Sequence, residues 1–148
     1  MKRHYSVKGI FIVLIVGLAL AVGCANSPST TAPAGTTAVT AVQNIDTQKA
    51  FDLIQKNRDN PEFVILDVRT PDEFRGGHIP KAINIDVNSA DFRSEIGKLD
   101  RNKAYLVYCR SGVRSAQASE IMSELGFKNI FNLLQGYNQW VAGGYPTE

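Results

Sequence analysis

Histidine, cysteine and unbalanced charge are all scarce in this chain, and each scarcity narrows what the protein does. Two histidines, His4 and His78, and two cysteines, Cys24 and Cys109, are scattered over 148 residues. No cluster with metal-ligand spacing exists, so no metal site is expected. Sixteen Lys+Arg against 14 Asp+Glu give a formal charge of only +2, and no basic stripe suited to nucleic acid is present. No uncharged apolar run reaches the roughly 20 residues of an ordinary spanning helix. There is no internal repeat.

The longest apolar run, Gly9–Val22, has 14 residues and follows the basic residues Lys2, Arg3 and Lys8. It ends in Ala21-Val22-Gly23-Cys24, small residues before a cysteine. Basic front, short apolar segment and small-residue end together predict an export signal over residues 1–23. The box resembles that of bacterial lipoproteins, with Ala21 where leucine is usual, and implies lipidation of Cys24 and a membrane anchor in the cell envelope. An uncleaved signal anchor with an incidental Cys24 is the alternative. Cleavage takes the 16 basic residues to 13 against 14 acidic ones, so the slight basicity belongs to the targeting segment. Residues 24–43 are expected to form a flexible tether, being largely Ala, Ser, Thr, Pro and Gly up to Ala41, with too little apolar surface for a core.

Residues 44–148 are enough for one domain. Asp46 is placed to cap a helix Thr47–Lys56, and Phe63–Leu66 reads as a strand covered on both sides. Pro71–Phe74 suggests one helical turn, Ala82–Ile85 a short strand, and Asp91–Ile96 a short helix. Tyr105–Tyr108 and Asn129–Leu133 read as strands. Between them, Ser115–Leu125 has apolar residues at helical spacing and a stop at Gly126. Tyr137–Val141 gives a last helical turn. The alternation predicts an α/β fold with a mainly parallel sheet of about five strands and helices on both faces. Ligands of such sheets bind beyond the carboxyl ends of the strands, where Asp67 and Cys109 fall.

The run CRSGVRS, Cys109–Ser115, lies between a strand and a helix. A turn there converges backbone N–H groups at the positive end of a helix, which stabilises a thiolate or a bound anion. Cys109 is the candidate nucleophile, with Arg110, Ser111, Gly112, Val113, Arg114 and Ser115 as the cradle of an anionic substrate. A buried core thiol is the plain alternative. If Cys24 carries lipid, Cys109 has no disulfide partner. Arg114 either binds substrate or braces the loop against Asp67 or Glu73. Asp67 and Arg69 are supporting candidates: Asp67 as an orienting acceptor, Arg69 as the ion-pair partner of Glu73 four residues on. His78 suits a structural hydrogen bond, Trp140 and Phe131 the core, and Tyr108 either packing or the pocket wall.

Four ordered segments carry a resemblance: DVRTPDEFRGGHIPKAINI, YLVYCRSGVRS, LGFKNIFNL and LLQGYNQWVAGGYP. Together they make residues 45–146 similar to a single rhodanese domain, the family of sulfurtransferases. The resemblance implies a persulfide formed on Cys109 with no other cofactor. It also implies a small anionic sulfur donor such as thiosulfate, cyanide or a thiol as acceptor, a protein acceptor as a further option, and a monomer. The six-residue loop Cys109–Arg114 suits one sulfur atom, whereas related phosphatases and arsenate reductases carry one residue more. A persulfide carrier or docking domain without turnover is the competing class. Two departures stand out. Gln135 occupies a position where the family usually has glycine, and so does Lys81.

Overall fold

A computed structural model describes residues 42–148, so the signal segment, most of the tether and Cys24 lie outside the described residues. In chain order the elements are β1 (Gln43–Ile45), α1 (Thr47–Lys56), β2 (Phe63–Asp67), α2 (Pro71–Arg75) and β3 (Ile83–Asn84). Then follow α3 (Phe92–Gly97), β4 (Ala104–Tyr108), α4 (Val113–Glu124), β5 (Asn129–Leu133) and α5 (Gly136–Ala142). All five strands pair in parallel, in the order β1-β5-β4-β2-β3.

β4 and β2 up to Leu66 are continuous apolar runs because both faces of the sheet are covered there. Along β2 and β4, Leu66 and Val107 join a core with Phe92, Ile96, Met122 and Phe127, under α3 and α4. Their neighbours Ile65, Leu106 and Tyr108 join Ala50, Leu133 and Trp140 on the opposite face, under α1 and α5. Asp46 caps α1 as expected, its carboxylate accepting from the Lys49 amide at 2.8 Å.

Most boundaries shift by a residue from the sequence expectations, and three of the differences bear on the sheet edges and the site. β1 begins at Gln43, inside the expected tether; QNI is too short and polar to show strand periodicity, and it forms by edge pairing with β5. β3 is shorter than expected, two residues at the other edge. Helix α4 starts at Val113 rather than Ser115, because Gly112 takes a left-handed conformation at φ +96° and turns the chain straight into the helix.

β4 lies at the centre of the sheet. The chain leaves β2 for β3 on one side and β4 for β5 on the other, so the carboxyl end of β4 is the crevice where such folds bind ligands. Cys109 is the first residue beyond it.

Leu106, fully buried at the middle of β4, tests the sheet's dependence on this strand. Leu106→Ala is expected to lower the unfolding free energy by about 2–5 kcal/mol in urea titration.

Candidate active site

The Cys109 loop takes its shape from the turn that leads into α5. The Tyr137 amide donates to Cys109 O at 2.7 Å and the Asn138 amide to Arg110 O at 3.0 Å. With those carbonyls turned outward, the following amides are free to turn toward the sulfur. The Gly112 N–H donates to Cys109 Sγ at 3.2 Å. Ser115 Oγ lies 3.0 Å from Gly112 O, at the base of the turn.

Two glycines permit this contact. A Cβ on Gly112 would lie 1.8 Å from Leu134 O, and one on Gly136 would lie 2.5 Å from Cys109 O. Both also have positive φ, +96° and +61°, where side chains are strained. Gln135, by contrast, sits at φ −96°, an ordinary conformation for any residue. The glycine this turn requires is Gly136, and the departure at Gln135 imposes no backbone strain.

Cys109 is buried, 1% exposed, and has no disulfide partner among the described residues. Burial pushes its thiol up. The Ser115 hydroxyl and the amides of Ser115, Ser111 and Gly112 outweigh that and leave it below its ordinary value. The sulfur therefore meets several donors at the N-terminus of a 12-residue helix, whose dipole favours negative charge. Arg110, Ser111 and Val113 are exposed on the outer side of the loop.

The arginines have different tasks. Arg114 forms a two-pronged pair with Glu73, Nη1 to Oε2 at 2.7 Å and Nη2 to Oε1 at 2.8 Å. Glu73 is also the third residue of α2's capping box, its Oε2 accepting from the Thr70 amide at 3.2 Å. One carboxylate thus fixes α2 and ties it to α4. The Arg114 hydrogen bonds hold Glu73 well below the carboxylate range, at about 2. Arg110 is exposed, and no hydrogen bond or ion pair with a described residue engages its guanidinium.

The expected Arg69–Glu73 ion pair does not form. Arg69 precedes α2, so helical spacing does not apply to it. It turns inward to Asp67 instead, with Nε to Oδ2 at 2.9 Å and Nη2 to Oδ2 at 2.6 Å. Both are buried, Asp67 completely and Arg69 at 4% exposure. Arg69 also donates to Gly77 O at 2.7 Å and stacks 4.2 Å from the Tyr137 ring centroid. The pair thus fixes Tyr137, whose amide holds the loop, and touches the sulfur nowhere. Tyr108 packs: it is fully buried and its hydroxyl accepts from the Ile79 amide at 3.1 Å. His78 stacks on Phe74 at 3.7 Å, with Nδ1 3.1 Å from Phe74 O.

Residues 109–115 therefore meet in one loop and helix turn, with Asp67 and Arg69 behind it. Three contributors were not singled out from the sequence: Gly136, Tyr137 and Leu134, whose carbonyl presses on Gly112. The GY step after β5 was the available signal. Among the described residues no group of three His, Cys, Asp or Glu is placed to hold a metal.

Comparison with known proteins identifies the family. Residues 50–143 match the rhodanese-like domain family, and the chain belongs to it. A thiosulfate sulfurtransferase GlpE of Coxiella burnetii is 33% identical over 99 residues, 67% of this chain and 86% of that protein. A sulfurtransferase of Allochromatium vinosum is 30% identical over 105 residues, 71% and 94% of the two chains. The crystal structure of a rhodanese-related protein from Thermoplasma volcanium superposes with a TM-score of 0.61 at 32% identity, covering 72% of this chain and 97% of that one.

Two measurements check the scaffold. Gly136→Ala is expected to cost at least about 2 kcal/mol in thermal or urea unfolding, while Gln135→Gly leaves stability within about 1 kcal/mol of the parent. Glu73→Gln should lower stability by about 1 kcal/mol at neutral pH. Because the Glu73 pKa is depressed from 4.5 to about 2, its contribution is complete above the higher value. The difference between parent and variant should shrink as pH falls through that interval.

Proposed function

We propose that the protein is a sulfurtransferase that passes a sulfane sulfur through a persulfide on Cys109. The observation that carries this reading is a thiol, lowered in pKa by converging hydrogen-bond donors, at the N-terminus of α4. Its relatives named as sulfurtransferases support the same class.

In the proposed cycle the Cys109 thiolate attacks the outer sulfur of thiosulfate or a related donor. A sulfur–sulfur bond forms on Cys109, the donor's sulfur–sulfur bond breaks, and sulfite leaves with the electron pair. The terminal persulfide sulfur is anionic, and the amides of Ser111, Gly112 and Ser115 offer it hydrogen bonds in turn. Cyanide or a thiolate then attacks that sulfur, leaving as thiocyanate or a new persulfide and restoring the Cys109 thiolate. This is covalent catalysis in two displacements. Arg114 is committed to Glu73, so Arg110 is the loop cation available to the donor's sulfonate end. Asp67 and Arg69 act from behind by holding Tyr137. No cofactor beyond the covalent sulfur enters the cycle.

The same reading makes the protein an exported lipoprotein in the cell envelope, anchored through lipid on Cys24 and acting as a monomer, with a small thiol or a protein as sulfur acceptor. It is supported by the basic front, apolar run and Ala-Val-Gly-Cys end of residues 1–24. A persulfide carrier without turnover is the second reading, favoured by the deep burial of Cys109.

Incubation with thiosulfate should add the mass of one sulfur atom at Cys109, and added cyanide should release thiocyanate over many turnovers. Cys109→Ser should abolish both. Adduct formation with a single turnover would support the carrier. Hydrolysis of an aryl phosphate that depends on Cys109 would overturn the sulfurtransferase reading.

A further inference from the structure

Helix α5 has a task that its own sequence does not support. Its first turn supplies the Tyr137 and Asn138 amides that hold Cys109 O and Arg110 O. Yet it has only seven residues, and Gln135 gives it no side-chain cap. A helix that short is not stable alone, so the placement of its first turn must come from contacts outside it.

Residues 145–148 make such contacts. They leave α5 and fold back on it, the Tyr145 amide donating to Trp140 O at 3.2 Å and the buried Trp140 Nε1 donating to Pro146 O at 2.7 Å. The Thr147 side chain is a hydrogen-bonding neighbour of the Tyr137 phenol. Glu148 then fastens the segment to the turn between α2 and β3. His78 and Glu148 exchange both backbone hydrogen bonds, at 2.8 and 3.0 Å. The Glu148 carboxylate accepts from the Lys81 amide at 2.9 Å and lies 3.3 Å from His78 Nε2.

The turn held in this way meets the far end of Tyr137. A Cβ on Gly77 would lie 2.9 Å from Tyr137 Oη and 4.0 Å from Glu148 O. Gly77 O also accepts from Arg69 Nη2, and Arg69 stacks on the Tyr137 ring. Tyr137 is thus gripped at both ends, its amide on the Cys109 loop and its phenol against Gly77 and Thr147.

We propose that residues 145–148 form a strap that positions Tyr137 and, through it, the amides converging on Cys109, with Glu148 as the positioning residue. The inference rests on the reading of Cys109 as a prepared nucleophile and extends that preparation to a segment beyond Tyr137. Two effects of Glu148 on the thiol have opposite signs. As a negative charge it disfavours the thiolate, so its loss alone would lower the thiol's titration midpoint. As the fastening of the strap it keeps the donors in place, so its loss raises that midpoint.

Thiolate absorbance is titrated in the full chain, each variant corrected with its Cys109→Ser counterpart. Glu148→Pro removes both the carboxylate and the amide given to His78 O. It is expected to raise the Cys109 midpoint by about half a pH unit and to slow alkylation by iodoacetamide at neutral pH about threefold. Glu148→Ala truncates a half-exposed side chain and leaves the backbone pairing. It should move the midpoint the same way by less, and it decides the matter if circular dichroism shows Glu148→Pro unfolded. Glu148→Gln keeps an oxygen for the Lys81 amide and should retain the parent's midpoint. A midpoint unchanged or lowered in Glu148→Ala and in folded Glu148→Pro would overturn the strap and leave the nucleophile standing. A parent midpoint at or above about 8.5 would overturn both.

Discussion

The site depends on two hydrogen bonds that never touch the sulfur. Tyr137 and Asn138 amides hold Cys109 O and Arg110 O at 2.7 and 3.0 Å. A peptide unit is planar, so fixing its carbonyl on one side fixes the orientation of the next N–H. The donors that gather on Cys109 are thus a consequence of where α5 starts. That start needs Gly136 against the loop and Gly112 against Leu134, because a Cβ at either place would overlap backbone.

Charge is distributed around this frame so that most of it is already spent. Asp67 and Arg69 neutralise each other in the interior and position Tyr137, while Glu73 and Arg114 neutralise each other between α2 and α4. What remains toward the thiol is dipolar: amides, a hydroxyl and a helix N-terminus. Fixed dipoles need no reorganisation when the thiolate forms or when charge passes to a terminal sulfur, which is the condition under which they stabilise a reacting anion best. Arg110 is left as the exposed positive charge on the outside.

Much of the fold was legible in the sequence because periodicity and capping are local. The apolar runs of β2 and β4, the strand β5, the Asp46 cap and the Gly126 stop all lie where local patterning puts them. β1 escaped notice because Gln43-Asn44-Ile45 has no pattern of its own and becomes a strand only beside β5. The same distinction divides the site. Cys109 and its loop form a contiguous motif and could be read directly. Partner choice among Asp67, Arg69, Glu73 and Arg114 could not, because it depends on Arg69 preceding α2 rather than lying on it, and on Glu73 turning back to its own cap. Gln135 illustrates the converse, since a departure visible in sequence acquires meaning only from its φ of −96°.

The most direct test of these ideas is the titration of the Cys109 thiol itself. Thiolate ultraviolet absorbance would be followed against pH for the full chain, with Cys109→Ser subtracted to remove Cys24. Converging donors around the sulfur require a midpoint clearly below the ordinary cysteine value of about 8.5. A midpoint at or above that value would mean that burial prevails over the amides and that the loop does not prepare a nucleophile.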